Sequence, residues 1–151
     1  MMNSQYLDKY VVTQMVIGLV ILLLTPLMSV HSLILQIIGS VFFIIGFLIL
    51  IIAAKQLGAA LTPVVTPKQN TQLVTSGIYG IVRHPIYAGV IAMAIGWSVF
   101  WGALLSFITS LILIIFFDFK AKKEEILLSK KYSEYEQYKS KVKKKIIPFI
   151  Y

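Results

Sequence analysis

At 151 residues, with 58% hydrophobic and 13% charged residues and a mean hydropathy of +0.86, the chain is far more apolar than a water-soluble domain of its size, and a second soluble domain does not fit. The absence of cysteine excludes disulfides, thiolate zinc sites and a cysteine nucleophile, and two histidines, His31 and His84, are too few for a histidine-built metal cage. A formal charge of +8, crowded as lysines toward one end of so apolar a chain, points to anionic lipid headgroups rather than nucleic acid.

Asp8 and Lys9 precede a long apolar stretch that lacks a small-residue cleavage site, so it reads as an uncleaved first span rather than a signal peptide. Residues 10–54 carry no acidic or basic side chain. At 1.5 Å per residue that is roughly 65 Å of helix, about twice a hydrocarbon core. Two spans are predicted, over about residues 11–28 and 33–54, with the turn at Pro26, Ser29, His31 and Ser32. Residues 55–83 mix Gly58, Pro63, Pro67, Gly77 and Gly80 with polar side chains and form a loop at the membrane surface.

The charge-free run 85–117 is too long for one upright span and short for two. A single span would set the lysines of the C-terminal stretch opposite Lys55, Lys68 and Arg83, against the tendency of basic loops to stay cytosolic. A hairpin of two short helices turning near residues 97–102 instead gathers all fourteen Lys and Arg residues on one side. The expected fold is therefore an all-α integral membrane protein of about four transmembrane helices, the last two a short hairpin, with both termini cytosolic. Trp97 and Trp101 then lie at the outer interface, where amphipathic indoles are favoured. Ala88, Ala92 and Gly96 form a small-residue stripe, bordered by Gly89, for close approach of a neighbouring helix. Leu128, Tyr132, Tyr135, Tyr138 and Val142 recur at three-to-four-residue spacing, which predicts a C-terminal cytosolic amphipathic helix closed by Pro148 and residues 149–151.

Two clusters at membrane entry points carry the polar chemistry: residues 77–89, with Tyr79, Arg83, His84, Tyr87 and Gly89, and residues 120–125, with Lys120, Glu124 and Glu125. Pro85 suits the first turn of a helix, so His84 should stand at the start of the third helix, where free backbone N–H groups attract an anion. Arg83 adds a planar fork able to hold a carboxylate. Tyr87 lies one turn further in on the same face. Glu124 and Glu125 emerge on the same side roughly 10 Å beyond Phe117 and can meet the first cluster. Taken alone, Arg83 and His84 read as juxtamembrane anchors, the glutamates as a solvated face, Lys120 with Glu124 as an ordinary i,i+4 pair and Gly89 as a packing glycine.

The order Arg83-His84-Pro85-x-Tyr87-x-Gly89, then Glu124-Glu125, then Tyr135-x-x-Tyr138 resembles the isoprenylcysteine carboxyl methyltransferases and the related phospholipid methyltransferases over about residues 57–148. The resemblance implies a multi-spanning enzyme that binds S-adenosyl-L-methionine on the cytosolic side and methylates a lipophilic or lipidated acceptor reached through the bilayer. It implies cofactor-binding roles for Tyr79, His84, Tyr87, Gly89, Glu124 and Glu125, places Arg83 near the reaction centre as the catalytic candidate, and calls for no metal. The chain departs from the family pattern at Gly77-Ile78-Tyr79-Gly80, usually Gly-Pro-Tyr-Arg, at Tyr132-Ser133, usually Phe-Gly, and at Lys120, commonly arginine. One domain over residues 1–151 is expected, with two N-terminal helices in 1–54 and the cofactor-binding half in 55–151. A carboxylate acceptor is the first expectation; amine methylation of a phospholipid headgroup and a non-enzymatic scaffold or transporter are the alternatives.

Overall fold

The computed structural model describes residues 9–146. Its regular elements among these residues are all helical: α1 (Lys9–Leu24), α2 (Leu33–Leu57), α3 (Pro85–Phe100), α4 (Leu104–Lys131) and α5 (Tyr135–Lys141), with single 3-10 turns at Gly58–Ala60 and Gly77–Gly80. The expected closing segment at Pro148 and residues 149–151, and Asp8 before α1, lie outside the described residues. Helices α2 and α4 are long and apolar enough to cross a membrane, while α1 and α3 are apolar helices of 16 residues each. Their outward faces are greasy, with Leu33, Ile34, Leu27 and Met15 all more than 60% exposed, as a lipid-facing surface requires.

Helix α1 stops at Leu24 rather than continuing to Met28. Pro26 has no N–H and disfavours helical backbone in the residue before it, so Thr25 enters a turn. The α1–α2 and α3–α4 turns meet at one end of the bundle: the Val30 N–H donates to the Gly102 carbonyl and the Leu104 N–H to the Met28 carbonyl, each at 3.2 Å. Gly102, at φ +57°, is the residue this junction demands, because a Cβ there would run into the Val30 carbonyl. All fourteen Lys and Arg residues belong to segments at the opposite end.

Two kinds of seam hold the helices together. Helix α2 packs on α3 through glycines spaced seven residues apart, Gly46 against Gly89 and Gly39 against Gly96, which is where the small-residue stripe of α3 goes. A Cβ built on Gly46 would lie 2.7 Å from the Gly89 carbonyl oxygen, and one on Gly96 would lie 2.5 Å from the Phe43 backbone nitrogen. Backbone atoms cannot yield as side chains do. Gly46→Leu is therefore expected to cost about 3 kcal/mol or more through overpacking. Thermal unfolding in detergent checks this, with Gly18→Ala, where a Cβ meets nothing within 4 Å, expected to melt as the parent does.

Helices α1, α3 and α4 are joined by buried hydroxyls. Ser106 donates to the Ile21 carbonyl at 2.7 Å, Thr25 and Ser106 lie 3.2 Å apart, the Trp97 indole N–H donates to Thr25 Oγ1 at 3.0 Å, and Ser98 and Ser110 lie 3.0 Å apart. Such hydrogen bonds supply specificity where lipid removes the hydrophobic drive between helices. Although consecutive in sequence, α1 and α2 hardly touch, so the bundle has an open seam between them.

The predicted C-terminal amphipathic helix is divided. Leu128 belongs to α4, which runs unbroken from the apolar stretch into the charged one, and Tyr132 adopts extended backbone that ends it. The Tyr132 hydroxyl donates to the Thr71 carbonyl at 2.9 Å, drawing the chain toward the loop before α5 begins. Tyr135 and Tyr138 then point inward, 1% and 6% exposed.

Candidate active site

Pro85 opens α3 as its missing N–H allows, and His84 caps it. The turn of α3 that follows brings Tyr87 beneath His84, their rings stacked at 5.2 Å, and Tyr87 stacks in turn on Phe117 of α4 at 4.6 Å. This stack fixes the register between α3 and α4 and carries Glu124 and Glu125 to the start of α3. The Arg83 Nε donates to Glu125 Oε1 at 2.8 Å, and His84 Nε2 lies 3.2 Å from the same oxygen. His84 Nδ1 lies 3.6 Å from Glu124 Oε2, which accepts the Tyr87 hydroxyl at 2.5 Å. The anions at the helix start are thus the chain's own carboxylates.

Glu125 lies in the charged extension of α4, beyond its apolar part. Burial alone would push its carboxyl up, but hydrogen bonds from His84 and Arg83, reinforced by their charges, hold it down at about 2. Its second oxygen is 3.7 Å from Lys139 Nζ of α5.

A strap after α5, residues 142–146, closes over this centre. The Arg83 and His84 backbone N–H groups donate to the Lys144 and Lys145 carbonyls at 3.0 and 2.9 Å. One Arg83 terminal nitrogen donates to the Val142 and Lys143 carbonyls at 2.7 and 2.8 Å. Lys145 reaches Asp118 of α4 at 2.6 Å, and Ile146 is buried with Phe117 and Ala121. The amides of Arg83 and His84, immediately before α3, are therefore taken by the strap.

Beside the centre lies a cavity of about 790 Å³, within the range of small-molecule sites. Its polar end is walled by Tyr79, Arg83, His84, Tyr87, Lys120, Glu124, Tyr135 and Tyr138. Its apolar arm follows α3 past Val90 and Met93 to Trp97, faced by Gly18, Ile21 and Leu22 of α1 and Phe43 of α2, so it adjoins the open α1–α2 seam. The Tyr135 hydroxyl is buried with no hydrogen-bond partner among the described residues, although its side chain lines the cavity. Burial raises the pKa of this phenol and Glu125 raises it further, so it stays a neutral donor. A buried donor without a partner costs about 1–3 kcal/mol.

Of the residues singled out from sequence, Tyr79, Arg83, His84, Tyr87 and Glu124 line the cavity. Tyr79 is buried in the 3-10 turn, and its carbonyl accepts the Tyr138 hydroxyl at 2.7 Å. Glu125 sits behind the wall and ties its parts together. Gly89 faces away from the cavity, into the glycine seam with α2.

Sequence reasoning names Lys120 within the second polar cluster but reads it as half of a helix pair and gives it no role in the site. It is 2% exposed, lines the cavity, donates to Gln14 Oε1 at 2.6 Å and to the Pro63 carbonyl at 3.0 Å, and lies 5.3 Å from the centre of the Tyr87 ring. A lysine four residues before a glutamate gives no local hint of this. The available signal is its place three residues past Phe117, still on the face that carries Leu113, Phe117 and Ala121 inward.

Comparison with known proteins places the chain. It is 38% identical over 94 residues to a protein-S-isoprenylcysteine O-methyltransferase of Schizosaccharomyces pombe, covering 60% of this chain and 40% of the relative. It is 35% identical over 117 residues to a probable protein-S-isoprenylcysteine O-methyltransferase of Oryza sativa subsp. indica, covering 75% of this chain and 61% of the relative. A delta(14)-sterol reductase of Mus musculus is 34% identical over 85 residues, 53% of this chain and 20% of the relative. The chain thus spans between about two fifths and three fifths of the length of the methyltransferases it matches. Residues 34–135, from the first turn of α2 to the start of α5, match the phospholipid methyltransferase family as a whole. With that match covering nearly all of α2, α3 and α4, the loop before α3 and both polar clusters, the chain belongs to the phospholipid methyltransferase family.

Proposed function

We propose that the chain is a membrane methyltransferase that binds S-adenosyl-L-methionine at the polar end of the cavity and methylates a carboxylate on a lipophilic acceptor of isoprenylcysteine type. The observation that carries this is one cavity joining a charged, hydroxyl-rich end to an apolar arm beside the open α1–α2 seam. Two relatives bearing isoprenylcysteine O-methyltransferase names support the acceptor class. The match to a sterol reductase means that the scaffold alone does not decide the chemistry, so the polar end must.

The donor's methionine end carries an ammonium, a sulfonium and a carboxylate. Glu124, on the wall with its side chain 24% exposed, suits the cationic groups, and the Tyr135 hydroxyl suits the carboxylate or a ring nitrogen. When bound, S-adenosyl-L-methionine supplies an electrophilic methyl group. The acceptor carboxylate needs a cation at the junction of the two parts of the cavity, and Lys120 stands there. Transfer of that methyl group to a carboxylate would release no proton, so the protein would need no general base. Its work is alignment and exclusion of water. Arg83, held by Glu125 and the strap, acts as a positioning residue for Glu124, His84 and Tyr87 rather than as a ligand of the acceptor. Tyr79 contributes to the wall, and Gly89 serves packing.

In this reading residues 1–151 form one membrane unit of four crossing helices, and the lysine-rich end, with the polar part of the cavity, faces the cytosol beside anionic lipid. Calorimetric titration of the detergent-purified protein with S-adenosylmethionine and S-adenosylhomocysteine tests the donor. Binding is expected for the wild type and about tenfold weaker for Tyr135→Phe, the loss of one hydrogen bond. A folded wild type that binds neither compound sinks the methyltransferase reading.

A further inference from the structure

The arm of the cavity has a recess at Gly18 and a lid at its far end. On α1, Gly18 lines the arm, and a Cβ built there meets nothing within 4 Å, so the missing side chain corresponds to open cavity. Gly18 lies one turn beyond Gln14, the partner of Lys120, or roughly 6 Å further along the arm from the polar end. At the far end, α1 contributes no lining residue beyond Leu22, α4 none nearer its start than Leu113, and α3 none beyond Trp97. The Trp97 indole is pinned across that end by its hydrogen bond to Thr25 Oγ1, and Thr25 is itself held beside Ser106. Swinging the ring aside would strand an N–H in hydrocarbon. Between Tyr87 at the polar end and Trp97 at the lid, ten residues of α3 give an arm of roughly 15 Å.

We propose that Gly18 and Trp97 together select the acceptor's hydrocarbon tail by length, Gly18 by keeping the arm open and Trp97 by ending it. This rests on the methyl-transfer reading above. The tail lies along α3 between α1 and α2, its head beside Lys120, and an acceptor whose tail outgrows the arm loses apolar contact at Trp97.

The test uses full-length protein in detergent and a series of N-acetyl cysteines bearing S-isopentenyl, S-geranyl, S-farnesyl or S-geranylgeranyl groups, with both methylation and calorimetric binding followed. Gly18→Trp is expected to weaken binding and turnover of the long-tailed members by about tenfold or more, the effect of excluding two or more methylene groups, while S-isopentenyl cysteine is handled as by the parent. Gly18→Leu should give the same pattern more mildly. Trp97→Ala is expected to move the preferred tail to a longer member, and Trp97→Phe, which keeps a ring without the hydrogen bond, to move it less. Retention of the short acceptor separates a blocked arm from a damaged fold. Identical length profiles in the wild type and all four variants overturn the proposal. A wild type that binds the series with the expected length dependence but methylates none of it sinks the methyl-transfer reading and leaves the gauge standing.

Discussion

Glu125→Ala is expected to lower the unfolding free energy by about 3–5 kcal/mol, because it leaves the buried Arg83 without its carboxylate. The lowered pKa of Glu125 expresses the same contacts: holding the carboxyl at about 2 rather than the usual 4.5 corresponds to about 3 kcal/mol. The sign follows from the direction. A carboxylate depressed in the folded protein stabilises fully above pH 4.5, and that contribution is lost as pH falls through 2. Thermal unfolding in detergent above and below this window checks both statements. The wild type is expected to lose more stability across it than Glu125→Gln, which has no charge to lose, and equal pH dependence in the two proteins would show that the pair contributes nothing.

Glu124→Gln is expected to act on ligand rather than fold. The amide oxygen still accepts the Tyr87 hydroxyl, and a partly exposed side chain loses little by neutralisation. A cationic donor bound against it loses a charge-assisted hydrogen bond, which is about a ten- to hundredfold weakening of S-adenosylmethionine binding. Calorimetry together with a melting curve separates the two effects. Unchanged affinity in Glu124→Gln would remove this residue from the donor site and turn attention to the tyrosine side of the wall.

The parts of the fold legible in sequence are those encoded by local chemistry. Pro85 announces the start of α3, a charge-free run of double length announces two helices, and Trp97 to Gly102 announces a turn that the glycine at φ +57° makes. The meeting of the two polar clusters follows from their sharing one end of a hairpin. What stayed hidden depends on partners far away in the chain. Lys120 finds Gln14 across 106 positions, and nothing near either residue records that. The strap escaped notice because it acts through the carbonyls of Val142, Lys143, Lys144 and Lys145, groups that every residue carries and no side-chain pattern marks. The break between α4 and α5 is obscured by the regular spacing of Leu128, Tyr132, Tyr135 and Tyr138, which runs straight across the extended backbone of Tyr132. Gly89 had two readings in sequence, cofactor contact and helix packing, and only the position of Gly46 opposite it distinguishes them.

The strap also orders events during synthesis. Arg83, His84 and Glu125 emerge from the ribosome well before residues 142–146, which follow every described helix. A nascent chain can form α1 to α4 and bring Arg83 to Glu125, yet the amides before α3 still lack the carbonyls that complete them. No translation product stopped short of residue 146 carries a finished site, however completely its helices are embedded. Formation of the helices and maturation of the site are thus separate steps, and the second waits on a segment that follows every one of those helices in the chain.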